Sequence, residues 1–147
     1  MKCIRGLCIL LLTITCSGVF ACGPDFLVKS TTKADGTKVG LLVHGSDFDG
    51  IPVWKLGDPW LPEAIDAYKA QELALDWAQD KYSRYDRVDI TAPAMVSVGL
   101  EECGYGAMWI YVFEAQLEID GNALTGVGNW VGVLLDGTVV APTELGL

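Results

Sequence analysis

The sequence has few of the residues on which common metal and catalytic sites depend. His44 is the single histidine, and the five cysteines are Cys3, Cys8, Cys16, Cys22 and Cys103. The first three cysteines fall in the N-terminal segment that we expect to be removed. The one histidine and two distant cysteines that remain cannot form a zinc ligand set. The sequence also lacks a Cys-x-x-Cys pair, a glycine-rich phosphate loop and a serine nucleophile elbow. We therefore expect neither a metal nor a cofactor.

Positive charge is scarce as well. The 147 residues include 10 Lys and Arg against 19 Asp and Glu, which gives a formal net charge of −9. Proteins that bind nucleic acid neutralise phosphates with clustered cations, so this balance argues against a nucleic-acid partner. A hydrophobic fraction of 51% excludes an intrinsically disordered chain, and the length accommodates one ordinary domain.

The N-terminus has the features of a secretory signal peptide. Lys2 and Arg5 form a short basic start, and residues 7–20 then form an uncharged apolar run. A membrane-spanning helix needs about 20 apolar residues, so this run is too short to be one. We expect residues 1–21 to be a signal peptide and residues 22–147 to be a single domain with a short N-terminal tether. Removal of Lys2 and Arg5 makes the mature chain more acidic than the whole.

Two cleavage interpretations compete at the end of this segment. Residues 19–21 (Val-Phe-Ala) before Cys22 resemble the lipobox of bacterial lipoproteins, although Phe stands where that motif usually has a small residue. The resemblance implies a membrane anchor through acylated Cys22. Gly23, in place of an Asp that would favour the inner membrane, implies an outer-membrane lipoprotein facing the periplasm. Val-x-Ala also satisfies ordinary signal peptidase, which would leave the protein periplasmic or secreted and Cys22 free to pair with Cys103.

The first half of the mature chain predicts a hairpin, an irregular connection and a helix. Residues 26–33 and 38–43 resemble strands and flank Asp35-Gly36, a strong hairpin turn signal. Residues 45–62 contain several prolines and glycines and are expected to lack regular structure over most of their length. Residues 62–82 are the helix candidate, with Pro62 in the first turn. Its expected apolar face comprises Leu61, Ala64, Ile65, Tyr68, Leu75, Ala78 and Tyr82.

The second half predicts alternating strands. In residues 88–100 the even-numbered residues are apolar, so we expect them on one buried face. Pro93 cannot donate a ladder hydrogen bond, which places this strand at an edge or gives it a bulge. The odd-numbered residues of 109–119 form a second buried face. A last strand pair, residues 129–135 and 138–140, is divided by Asp136-Gly137.

Sequential strands with short connections pair antiparallel, and one helix across such a sheet gives an α+β domain. The helix followed by antiparallel strands resembles the cystatin-like roll, with a curved sheet of about four to six strands. The strand at residues 109–112 and the ending at residues 135–140 resemble PepSY-type modules. Both resemblances imply a secreted binding or inhibitory module without chemistry of its own. The Gln-x-Val-x-Gly inhibitory loop of cystatins is absent.

Two possible sites in the mature chain have simpler alternatives. His44 and Cys103 could form a base and thiol nucleophile, or His44 is a partly exposed histidine at a strand end. Residues 47–50 (Asp-Phe-Asp-Gly) resemble the start of a calcium loop with Asp58 at its twelfth position. Ile51 and Pro52 stand where such a loop needs an oxygen ligand and a glycine, which favours a local turn.

Carboxylates that the fold brings together give an alternative function, a small hydrolase. Glu101-Glu102 is the most prominent acidic pair in the sequence, and its simpler interpretation is a solvated surface.

Aromatic and apolar residues outside the predicted core mark a candidate binding surface. Trp54, Trp60 and Tyr105 lie on predicted loops, and Leu73 and Trp77 form a second apolar patch on the helix. The alternative is that these loop aromatics cover the open end of the sheet or the helix. Together the observations predict a non-enzymatic envelope module that binds a protein or peptide through a sheet edge or the aromatic loops.

Overall fold

The computed structural model describes residues 25–55, 57–98, 108–124 and 128–146. Its first element is the predicted hairpin, with β1 (Asp25–Thr32) antiparallel to β2 (Lys38–His44). The turn between them follows from its sequence: Gly36 adopts a φ of 88° and donates to the carbonyl oxygen of Lys33, while Asp35 accepts from the amide of Thr37. A bulge between Leu27 and Lys29 shifts the register of β1 by one residue.

A 3₁₀ helix (Gly45–Phe48) and an irregular stretch lead to the helix α1 (Ala67–Lys81). The helix begins at Ala67 and not at Pro62, because the carboxylate of Asp66 caps it by accepting from the amide of Lys69 at 2.8 Å. The preceding residue, Ile65, donates its amide to the carbonyl oxygen of Leu135, so the chain there is tied to another segment before the helix starts.

The buried side of α1 is a stripe of alanines, Ala70, Ala74 and Ala78, flanked by half-buried leucine and tryptophan side chains. Tyr68 was expected on the apolar face, but that prediction is wrong because its side chain is 80% exposed. Alanines four residues apart let the helix backbone approach the sheet closely, and this small-residue stripe defines the packed face more than the larger residues do.

The alternating segment after the helix forms two strands, β3 (Arg87–Ile90) and β4 (Ala94–Val98), which both pair with the long strand β5 (Met108–Ile119). Between them the register shifts by one residue. The amide of Thr91 donates to the carbonyl oxygen of Glu114, and its hydroxyl accepts from the amide of Glu114. The irregularity predicted at Pro93 is confirmed.

The residue inserted between β3 and β4 reverses which side chains face each side of the sheet. Val88 pairs with Leu117 and joins a cluster with Ala78 of the helix. Val96 pairs with Ile110 on the opposite face. The prediction that all even-numbered residues of 88–100 share one face is therefore wrong, because one inserted residue inverts a period-2 pattern.

The remaining strands are β6 (Asn122–Leu124), β7 (Trp130–Leu134), β8 (Val139–Val140) and β9 (Thr143–Glu144). β3, β4, β6 and β7 all pair with β5, and β8 pairs with β7, which gives a six-stranded sheet. β9 pairs with β2 and completes a three-stranded sheet in the order β1-β2-β9. The described chain is thus α+β, with one helix packed against antiparallel sheets, as predicted, but with two sheets where one was expected.

The two sheets meet at β5 and β7. A β carbon on Gly132 of β7 would lie 2.6 Å from Cδ1 of Ile110 and 3.2 Å from Cδ2 of Leu41, so this glycine lets β2 approach the larger sheet. On the other face of the larger sheet, Tyr111 donates from its hydroxyl to the carbonyl oxygen of Ile65, near the start of α1, at 3.4 Å. β5 and β7 are therefore covered from both sides where they pair.

Candidate functional site

Trp54, Trp60 and Trp109 form a cluster of indole rings at the start of β5, here called the tryptophan cluster. The ring centroid of Trp54 lies 5.3 Å from the ring centroid of Trp60 and 5.3 Å from that of Trp109. The indole N–H of Trp109 donates to the carbonyl oxygen of Trp54 at 2.7 Å, and that of Trp54 donates to the carbonyl oxygen of Asp58 at 3.1 Å. Trp54 therefore covers the sheet, as the simpler interpretation expects, while Trp60 remains 37% exposed.

Leu73 and Trp77 lie on the side of α1 that faces the sheet. Both are half-buried and pack against the main hydrophobic core. The ring of Trp77 makes an edge contact with Tyr82 at 6.0 Å rather than with the tryptophan cluster. The structure thus brings Trp54 and Trp60 together and leaves the helix pair apart from them. The remaining candidates for binding, lipidation or chemistry lie outside the described residues: Tyr105, Cys22, Cys103, Glu101 and Glu102.

His44 lies at the end of β2 and is exposed, as the simpler interpretation predicts. Its Nδ1 lies 2.6 Å from Oδ1 of Asp25, the first residue of β1, and its side chain is 57% exposed. The hydrogen bond to Asp25 and the charge of that carboxylate raise the pKa of His44 above 6.5. The hydrogen bond therefore links the end of β2 to the start of β1, at the open end of the hairpin.

The acidic loop after His44 forms local turns. The carboxylate of Asp47 accepts from the amide of His44 at 2.9 Å, and Gly50 adopts a φ of 79°. Ile51 donates its amide to the carbonyl oxygen of Phe48. Among the described residues there is no group of three or more His, Cys, Asp or Glu side chains placed to hold a metal ion. The turn interpretation of residues 47–50 is confirmed.

Carboxylates also meet on the part of the larger sheet formed by β3, β5 and β6. Asp89 and Glu118 line a shallow hollow of about 150 Å³. Arg87 lies in the same hollow and forms an ion pair with Asp89 at 2.7 Å. This hollow is smaller than the about 300 Å³ at which ligand pockets begin.

A larger depression, of about 360 Å³, lies between two strand edges and is here called the β1–β4 groove. It is lined by residues 25–28 of β1 and 96–98 of β4. β1 is the outer strand of its sheet, and β4 pairs only with β5, so within the described chain both strands have one open edge. Phe26, Val28 and Val96 are half-buried, and Leu27 is 51% exposed.

Sequence reasoning missed this groove, although one signal pointed to it. Pro93 indicated an edge strand or a bulge, and Val96 and Val98 follow in the same segment. What the alternation could not reveal is that the bulge turns Val96 towards the smaller sheet.

Comparison of the chain with protein-family models, with curated proteins and with solved structures finds no match. The described residues contain no helix with both the length and the apolar character needed to cross a membrane.

Proposed function

We propose that this protein is an exported, lipid-anchored envelope protein that captures an extended protein or peptide segment in the β1–β4 groove and performs no chemistry of its own. The observation that carries the proposal is the position of two open strand edges on one groove of about 360 Å³. The ion-paired Asp89 in its shallow hollow does not favour the alternative, a hydrolase.

An open strand edge offers main-chain hydrogen bonds to a guest strand. In strand addition these bonds supply affinity, and pockets for alternate side chains supply specificity. The groove provides such surfaces in the half-buried side chains of Phe26, Val28 and Val96. An extended segment with apolar residues at every second position fits this geometry, because alternate side chains of a strand point to the same face.

Charge favours a cationic guest. The whole chain carries a net charge of −9, which signal-peptide removal would make more negative, and the described lining of the groove contains no Lys or Arg. A negative protein steers cationic partners towards its surface and repels acidic ones. The proposed partner is therefore a segment that alternates apolar and basic residues.

The lipid anchor is proposed at Cys22, on the apolar run of residues 7–20 and the lipobox-like residues 19–21. Several acyl chains anchor a protein stably where one does not. β1 starts at Asp25, so an anchor at Cys22 tethers one end of the groove close to the membrane surface. The outer-membrane position remains part of this proposal.

The finer fold assignment is also a proposal. A helix that packs on antiparallel strands and is followed in sequence by them supports a roll of the cystatin type. The hairpin around Asp136-Gly137 supports a PepSY-like ending, since its three-residue loop is closed by bonds between Leu134 and Thr138 and between Gly137 and Leu134.

The proposed binding is tested with two fluorescent peptides of equal length, one alternating Val and Lys and one alternating Val and Glu. Protein produced from the full-length chain should bind the Val-Lys peptide and discriminate at least tenfold against the Val-Glu peptide in fluorescence anisotropy. Ser97→Arg, at an exposed position in the groove, should weaken binding at least fivefold.

The matched control is Ser30→Arg, which adds the same charge at an exposed position of β1 outside the groove. It should change the affinity less than twofold. Equal binding of the two peptides, or equal loss in the two variants, contradicts capture in the groove.

A further inference from the structure

A second depression, of about 370 Å³, lies where the β1–β2 turn, the end of α1 and β9 meet, and is here called the basic cleft. Cationic side chains reach it from separate parts of the chain: Lys33 from the turn, Lys81 from the last helical turn and Arg84 from the following loop. Glu144 is the one carboxylate in its described lining. In a protein of net charge −9, three cations against one acid make this cleft locally positive.

The three cations of the cleft differ from other cations of the chain in their ion pairing. Lys69 pairs with Glu72, and Arg87 pairs with Asp89, each within 3 Å. In the described chain no such ion pair involves Lys33, Lys81 or Arg84. Lys81 does offset the partial negative charge at the end of α1, and Lys33 interacts electrostatically with the carboxylate of Asp35, so Arg84 is the least compensated of the three cations.

The guanidinium of Arg84 is held in place by a tyrosine. Its Cζ lies 4.9 Å from the ring centroid of Tyr85, and its Nη2 donates to the hydroxyl of Tyr85 at 2.8 Å. The ring of Tyr85 in turn contacts that of Tyr82 at 6.1 Å. Burial raises the pKa of Tyr82, so its hydroxyl stays protonated and able to donate. An arginine fixed in this way loses less side-chain entropy when it binds an anion.

We infer that the basic cleft binds a small molecule that carries a phosphate monoester. Such a group carries a charge of about −1.5 to −2 at neutral pH and accepts the forked hydrogen bonds that arginine offers. The volume falls within the range of ligand pockets, and the tyrosine rings and the side chains of Asn129 and Thr143 provide a wall for the rest of the molecule. This site is independent of the β1–β4 groove.

The test is a titration of protein from the full-length chain with inorganic phosphate and with phenyl phosphate, followed by backbone amide NMR shifts. We expect saturable shifts at Tyr85 and Asn129 and tighter binding of phenyl phosphate, whose ring can contact the tyrosines. Arg84→Gln should raise both dissociation constants at least tenfold, and Arg84→Lys should restore part of the loss.

Lys69→Gln is the control, because it removes the same charge from a lysine that is paired with Glu72 outside the cleft. It should change either constant less than twofold. A second assay measures cosedimentation with phosphatidylcholine vesicles that contain phosphatidic acid. If the protein cosediments and Arg84→Gln abolishes this, the phosphate monoester that the cleft binds belongs to a lipid. Absence of saturable shifts with both soluble phosphates, or equal losses in the two Gln variants, overturns the inference.

Discussion

The indole N–H of Trp109 donates a 2.7 Å hydrogen bond to the carbonyl oxygen of Trp54, a residue 55 positions earlier in the chain. This bond and the contact between the two rings fasten the irregular segment before α1 to the start of β5. Trp54 is thus a structural residue, whose ring also supports that of Trp60. A loop tryptophan that the sequence marks for binding can be needed for the fold instead.

Replacement of Trp54 should therefore lower the stability of the fold, and this effect does not depend on any binding partner. Trp54→Ala removes a half-buried ring between two others, and we expect a loss of about 2–4 kcal/mol in the free energy of unfolding. Trp109→Phe removes the hydrogen bond and part of the ring contact with Trp54, and should cost about 1–2 kcal/mol. Urea unfolding followed by circular dichroism measures both. Tyr68→Ala, at a position 80% exposed, should stay within about 0.5 kcal/mol.

A side chain at Gly132 should destabilise the protein, because a β carbon there would lie 2.6 Å from Cδ1 of Ile110, which would have to shift. We expect Gly132→Ala to cost about 1–3 kcal/mol through overpacking. Ile110→Val removes the clashing methyl, so the double variant should lose less stability than the sum of the two single variants. Strict additivity in denaturant unfolding would contradict this packing. Gly146→Ala, which meets open space, is the control.

The pair between His44 and Asp25 predicts a pH dependence of the hairpin. The pKa of His44 is raised in the folded protein, so its stabilising effect is complete below 6.5 and is lost as the pH rises through the raised value. Asp25→Asn should lower the pKa of His44, measured from its imidazole proton shifts by NMR. Asp35→Asn, at an acid that contacts Thr37 and not His44, should leave it unchanged. Equal pKa values in wild type and Asp25→Asn would refute the pairing.

The anchor proposal predicts the chemistry of one residue. Mass spectrometry of the N-terminal peptide from an expressing bacterium should show acylated Cys22, and Cys22→Ala should release the protein from the membrane fraction. A free Cys22, or a disulfide between Cys22 and Cys103, would show ordinary secretion instead. The binding proposal would survive that result.

Local sequence signals predicted most elements because their causes are local. Asp35-Gly36 and Asp136-Gly137 both form tight turns whose glycines adopt positive φ and whose Asp side chains accept from the following Thr amide. Pro93 predicted an edge strand or a bulge, and within the described residues β4 has an open edge and a register shift beside Pro93.

What the sequence did not predict depends on contacts between distant segments. The start of α1 was missed because the local cap by Asp66 was not recognised, and because the bond from Ile65 to Leu135 forms only in the folded chain. The second sheet was missed because Leu41 meets Gly132 and Ile110 only in the folded chain. The β1–β4 groove forms only because there is a second sheet and because Val96 faces it. An alternating sequence pattern does not show where one residue is inserted into a strand, so the orientation of Val96 could not be predicted.

The most direct test of peptide capture is amide hydrogen exchange of the full-length chain at saturation with the Val-Lys peptide. Capture in the β1–β4 groove predicts slowed exchange at amides within residues 25–28 and 96–98, with amides of the tryptophan cluster unchanged. Protection centred on Trp60, or no protection at either strand edge, would contradict the account.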